Sequence, residues 1–176
     1  STVSISDTER IGNSSTNGSG GAINNSGASL RVVDSELTAN TASNAAGAVY
    51  SKGAATVFRG TTFSGNAAKQ GGAFRFLRST ASERIDGLFE NCTISGSTAI
   101  TNGGTFLNRG ARVVLLHSTL TRSTAGGDGS GIHLTESSDF QAHASVIDAG
   151  CYLDADSVLA SFGYNAVLSG AAEPCA

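Results

Sequence analysis

The stretch SGGAINNSGASL, Ser19–Leu30, sets two glycines against Ala22 and Ile23 and then runs into Asn, Ser and Gly. Glycine at this density disfavours a helix, and the polar end disfavours a long strand. The core phrase recurs as AGAV at Ala46–Val49, GGAF at Gly71–Phe74, GGTF at Gly103–Phe106 and GSGI at Gly129–Ile132. Its last residues, Ile23, Val49, Phe74, Phe106 and Ile132, follow one another in steps of 26, 25, 32 and 26. A second phrase puts a large apolar residue before small polar ones: LTAN from Leu37, FSGN from Phe63, ISGS from Ile94 and LTRS from Leu120. Weaker forms are IGNS from Ile11 and IDAG from Ile147, and the steps are 26, 26, 31, 26 and 27. From each second-phrase marker to the next first-phrase marker the distance is 11 or 12 residues. Two markers that hold phase define one coil of about 26 residues, with a six-residue insertion in a single coil.

Strands suit this coil better than helices. Apolar and small residues alternate at period two around each marker, as in SELT and STLT, and Gly or Asn/Ser clusters interrupt every few residues. The expected fold is all-β: a right-handed parallel β-helix of about five to six rungs, each with three short strands, stacked at about 4.8 Å. Ile23, Val49, Phe74, Phe106 and Ile132 form one inward stack in this reading, and Leu37, Phe63, Ile94 and Leu120 another. The glycines turn a corner where a Cβ would clash or φ must be positive. Asn40 and Asn66 are expected to form an amide ladder between rungs. Cys92 falls in the column Ser35, Thr61, Cys92, Ser118, Ser145 and reads as a small buried side chain. Residues 1–150 are assigned to the rungs and 151–176 to a C-terminal capping segment.

Composition bounds the function. The 176 residues are 39 % hydrophobic and only 14 % charged, with net charge −3, 23 glycines and one proline. That balance offers no electrostatic basis for binding nucleic acid or an anionic membrane. No run of 18 apolar residues exists to span a bilayer. The chain opens on Ser1 and contains no Met, as expected of a mature or excised piece. Of the three cysteines, Cys151 and Cys175 bracket the tail and are expected to form a disulfide, which implies export to an oxidising compartment. Three reduced, buried thiols are the alternative.

The pairing of GGAI-like with FSGN-like motifs resembles the passenger repeats of polymorphic outer-membrane proteins, and more broadly exported bacterial proteins with pectin-lyase-like β-helices. The tail, with SFGYNAV between Cys151 and Cys175, is similar to the closing segment of such proteins. ISGS and LTRS depart from the pattern by replacing Asn with Ser. The resemblance implies the fold and a secreted or cell-surface location; it transfers no site, because many activities share this scaffold.

Enzymes on such a scaffold need paired carboxylates or a carboxylate-bound cation. Counting back four from the second-phrase markers gives Asp7, Val33, Arg59, Glu90, Leu116 and His143, in which Arg59 and Glu90 form a surface ion pair. Counting back one gives Arg10, Glu36, Thr62, Thr93, Thr119 and Val146, with no carboxylate pair. His117, His133 and His143 lack metal-ligand spacing, and Asp154 with Asp156 is a weak candidate for Ca²⁺. No catalytic residue, metal or cofactor is expected. Two features stand out. The insertion gathers Lys69, Arg75, Arg78 and Arg84, a candidate binding loop. Thr62, Ser64, Thr93, Ser95, Thr119 and Thr121 form an outward Thr/Ser array. The expected function is an exported structural or adhesive surface module that meets copies of itself head-to-tail, or a cell-surface or polysaccharide ligand. A polysaccharide lyase or glycoside hydrolase is the first alternative and an ice-binding protein the second.

Overall fold

The structure, a computed structural model, describes residues 1–53, 55–78 and 85–167. Every strand of the described residues pairs in parallel with its equivalent one turn away, and no helix is present among them. The chain is a β-solenoid of about five turns with about 26 residues per turn. The first sheet stacks Thr2–Ser6, Ser29–Val33, Thr56–Arg59, Gly87–Glu90, Arg112–Leu116, Asp139–His143 and Val158–Phe162. The second stacks Glu9–Ile11, Glu36–Thr38, Thr62–Ser64, Thr93–Ser95, Thr119–Thr121, Val146–Asp148 and Ala166–Val167. The third holds Ser14–Ser15, Thr41–Ala45, Ala67–Gln70, Thr98–Ala99 and Thr124–Ala125. The fourth holds Ile23–Ser26, Val49–Lys52, Phe74–Leu77, Phe106–Arg109, Ile132–Thr135 and Cys151–Leu153.

The expectation of three strands per turn is corrected to four. The unforeseen third sheet is built mostly from Ser, Thr and Ala, with Asn44, Lys69 and Gln70, so it has no alternation of large apolar residues. Four strands need four corners, and each corner carries a residue in left-handed conformation. Between the first and second sheets these are Asp7, Asp34, Gly60, Asn91, His117, Ala144 and Gly163; between the second and third, Gly12, Ala39, Gly65, Gly96 and Arg122. Gly20, Ala46, Gly71, Gly103 and Gly129 turn the third corner, and Gly27, Gly53, Gly110 and Glu136 the fourth. The opening phrase thus marks the third corner. Its second glycine serves a different need: a Cβ on Gly104 would lie 1.8 Å from the Ser130 carbonyl oxygen and 2.6 Å from that of Thr124. The backbones of adjacent turns close on each other there, and no side chain fits.

The inward stacks hold as expected. Val49, Phe74, Phe106 and Ile132 are fully buried with Ile23 packed against them, and Leu37, Phe63, Ile94 and Leu120 form the second stack. Seven of the eight phenylalanines fill the core, with neighbouring ring centroids from 4.7 to 6.2 Å apart. Large and small alternate across it: Gly87 leaves the space that the Phe76 ring occupies.

Two polar ladders run along the corners. Asn40 Nδ2 donates to the Arg10 carbonyl and to Asn66 Oδ1, at 2.8 and 3.1 Å, while its own Oδ1 accepts from Asn13. Asn66 in turn donates to the Leu37 carbonyl. The ladder stops where Ser97 replaces Asn, and the buried Ser97 hydroxyl has no hydrogen-bond partner. In the second ladder Ser35, Thr61, Cys92, Ser118 and Ser145 each donate to the carbonyl two residues back. The Cys92 and Ser118 amides donate to Ser118 Oγ and Ser145 Oγ. Cys92 is therefore a hydrogen-bonding member as well as a small buried one. It is a free thiol, and burial pushes its pKa up to about 11.

The first turn is displaced from the sequence reading. Arg10, not Ile11, pairs with Leu37, so Arg10 takes the inward position and Ile11 is 56 % exposed. At the other end residues 151–167 continue the ladder in all but the third sheet. Cys151 is buried at the start of its strand, and its expected partner Cys175 lies outside the described residues.

Candidate functional site

The fourth sheet's outer face carries the most varied chemistry. Ladder register places Tyr50, Arg75, Leu107, His133 and Tyr152 in one outward column. Lys52, Leu77, Arg109 and Thr135 form the next, because outward positions alternate along each strand. Between these columns and the third corner lies a cleft of about 290 Å³, lined by Gln70, Arg75, Asn102, Leu107, Arg109, His133, Thr135 and Glu136. Leu107 and His133 are buried though they point outward. The third corner packs over this column: a Cβ on Gly71 would touch Leu107 Cβ at 3.0 Å, and one on Gly103 would approach His133 Cβ at 3.3 Å.

Charge is unevenly shared in this cleft. Glu136, its one lining carboxylate, is taken by Arg109, whose Nε donates to Oε1 at 2.9 Å. Glu136 is also held from its backbone, where its N–H donates to Asp154 Oδ2 at 2.7 Å. The Ser157 side chain first, and then that bond, hold the Asp154 carboxyl below its ordinary range. Arg75 is half-buried, with no ion-pair partner among the described residues, and its buried Nε has no hydrogen-bond acceptor. Burial lowers its pKa. His133 stacks on Tyr152 at 4.5 Å, its Nδ1 is buried without a partner, and burial lowers its pKa below 6.5.

Of the basic residues proposed from sequence, Arg75 alone lines the cleft. Lys69 is exposed on the neighbouring third-sheet strand, Arg78 is exposed at the fourth corner against Gly110, and Arg84 lies outside the described residues. Arg109, His133, Gln70 and Asn102 were missed. Stepping one residue past each first-phrase marker gives Asn24, Tyr50, Arg75, Leu107 and His133, so the column was there to be found.

A second cleft of about 490 Å³ spans the first three turns, lined by Asp7, Thr8, Glu9, Asp34, Ser35, Glu36, Gly60 and Thr62. Glu9 pairs with Glu36 in register. The reading of no carboxylate pair in this column is thereby corrected; the one-residue displacement of the first turn puts Glu9 where Arg10 was expected. Thr38 Oγ1 donates to Glu36 at 2.8 Å. Among the described residues no group of three or more His, Cys, Asp and Glu is placed to hold a metal ion.

The Thr/Ser array is in register: Thr62, Thr93 and Thr119 form one column and Ser64, Ser95 and Thr121 the next. Glu36 and Thr38 continue it on one side, Val146 and Asp148 on the other. Arg59 and Glu90 pair at 2.7 Å as expected, with both side chains partly exposed, a geometry of small energetic weight. The chain matches no protein-family model, no curated protein and no solved structure.

Proposed function

We propose that this chain is an exported, non-enzymatic surface module of structural and adhesive type, which attaches through the cleft over Arg75, Leu107 and His133. Kinship with the pectin-lyase-like exported β-helices belongs to the same reading and rests on the GGAI- and FSGN-like motifs. One observation carries the proposal: side chains from consecutive turns converge on one concave site whose single carboxylate is already neutralised by Arg109. Such a site has donors and a partly desolvated cation to hold a ligand, and no free carboxylate to act as acid or base on it. A rigid ladder supports it, since each lining side chain stands on a hydrogen-bonded strand or corner.

Head-to-tail stacking through the first turn would bring Asp7, Glu9 and Arg10 of that turn to the contact. Burying them is costly unless a partner supplies matching groups. The reading is therefore of an individual module. Retention of the purified protein on immobilised polysaccharides is the test. Binding to at least one neutral or charged glycan supports the reading, and passage through all of them overturns it.

A glycoside hydrolase or lyase is the second reading, favoured by the four carboxylates of the acidic cleft. Release of reducing or unsaturated ends from polysaccharide, lost in Glu36→Gln, supports it; no release by the unaltered protein refutes it.

A further inference from the structure

We infer that the outer face of the first sheet is a contact surface that pairs two copies of this chain side by side. The inference goes beyond the adhesive reading, uses a different face from the cleft, and concerns lateral pairing, not end-to-end stacking.

Register sets which residues this face presents. Arg31, Val57, Leu88, Val114 and Gln141 form one outward column, and Val33, Arg59, Glu90, Leu116 and His143 the next. On the second sheet the equivalent columns are mostly Thr and Ser. Here Val33, Val57, Leu88, Val114 and Leu116 make a continuous apolar strip across four turns. Arg112–Leu116 carries four consecutive apolar residues, the pattern of a parallel strand covered on both faces. Val113 and Leu115 are covered by the core, while Val57, Leu88 and Leu116 stay partly open to solvent on the other side. An apolar strip rimmed by charge has the anatomy of an interface.

The charges around the strip identify a second copy as its occupant. A two-fold axis parallel to the strands, midway between Thr56–Arg59 and Gly87–Glu90, sets two such faces together. It lays Val57 of one copy on Leu88 of the other, and Val33 on Leu116. It also sets Arg59 against Glu90, so the ion pair within each chain joins its symmetry mate around the axis. At the rim, Asp34 of one copy meets His117 of the other, both exposed residues of the first corner. No two like charges oppose each other in this register. Slipping one copy by one turn sets Arg59 on Arg59 or Glu90 on Glu90, so the charges fix the alignment. Six turns of three outward columns cover about 570 Å², at about 4.8 Å between strands and about 6.6 Å per two residues. Two copies then bury about 1,100 Å², the size of a weak, reversible pairing.

Sedimentation velocity from about 5 µM to about 1 mM protein tests the inference. A dimer that grows with concentration is expected. Leu88→Lys puts a charge on the partner's apolar strip and is expected to weaken pairing about tenfold or more. Ile100→Lys is an equivalent change beside the third sheet, at a side chain 73 % exposed, and is expected to stay within about twofold. Glu90→Arg sets Arg against Arg59 and is expected to weaken pairing about tenfold or more; adding Arg59→Glu is expected to restore it to within about threefold. Circular dichroism confirms the fold of each variant, and the charge-swapped double variant decides the question where Leu88→Lys does not fold. Monomers at every concentration overturn the inference. So do equal losses in Leu88→Lys and Ile100→Lys, or a double swap as weak as Glu90→Arg alone. Retention on polysaccharides reads the cleft of the fourth sheet, so either reading can fail without the other.

Discussion

Gly131 stands where the other turns carry Ala22, Ala48, Ala73 and Thr105, and it tests whether a close approach between turns, and not glycine's flexibility, excludes a side chain there. A Cβ at this position would lie 2.2 Å from Ala149 Cβ, with its next neighbours at 3.4 Å. Two carbons in contact sit about 4 Å apart, so Gly131→Ala must push adjacent turns apart by more than 1 Å. The Gly131 and Ile132 amides both donate to the Gly150 carbonyl, at 2.8 and 3.0 Å, and that separation breaks them. Overpacking costs about 1–3 kcal/mol, and two backbone hydrogen bonds add about 1 kcal/mol each, so the expected loss is about 3–5 kcal/mol. Gly27→Ala is the comparison. Gly27 has φ +82° and nothing within 4 Å of a Cβ, so only the left-handed penalty of about 1–2 kcal/mol applies. Because the clash at Gly131 is with one methyl group, Ala149→Gly should rescue it. A double-mutant cycle by urea denaturation is expected to give a coupling of about 2 kcal/mol or more between the two positions. Equal costs for Gly131→Ala and Gly27→Ala, or no rescue, would refute the reasoning.

Asn40→Ala removes side-chain bonds to Asn13, Arg10 and Asn66 in a buried ladder and should cost about 2–4 kcal/mol in the same assay, with a loss under 1 kcal/mol contradicting the ladder's role. Cys92→Ser should change stability by less than about 1 kcal/mol, because Ser already fills equivalent places on the same hydrogen-bond column; a larger loss would show that the sulfur packs specifically. His133 has its pKa lowered by burial, so the unfolded chain takes up its proton first: stability is full above about pH 6.5 and falls as pH drops below it. Urea midpoints from pH 7.5 to 5 should show a smaller decline in His133→Phe than in the unaltered protein, and identical profiles would dismiss this contribution.

The fold was legible because its two signals are of kinds that sequence carries well. A large inward residue must recur at each turn to stack on its equivalent, and the Gly-Gly corner must recur because backbone meets backbone there. Phe74, Phe106 and Ile132 obey the first demand, Gly72 and Gly104 the second. The third sheet and the other corners stayed hidden. Thr41, Ala67, Thr98 and Thr124 sit in register without a large apolar side chain, and the first corner is turned by Asp, Asn, His and Ala as readily as by Gly. Asn and Asp tolerate the left-handed region more than most residues, so the corner leaves a scatter of residue types where the third corner leaves a motif.

The candidate sites depend on register more sharply than the core does. A strand shifted by one residue exchanges its faces, while a repeat count shifted by one still counts the same turns. Between the Ile11 and Leu37 markers the spacing of 26 looks regular, yet the structure pairs Arg10 with Leu37 at a spacing of 27. That single residue moves Ile11 out to solvent, turns Arg10 inward and sets Glu9 beside Glu36. The apolar marker alone could not reveal this, because the end of a stack has a neighbour on one side only and tolerates a poor inward residue. The Asn ladder does reveal it. Asn13 bonds to Asn40 across 27 residues and Ser15 still pairs with Ala42 across 27, while Ile23 pairs with Val49 across 26, so the extra residue of the first turn falls between the third and fourth sheets. In a solenoid the polar ladders, which need matched atoms on every turn, are a finer ruler of register than the hydrophobic stacks, and they locate the columns in which a site can form.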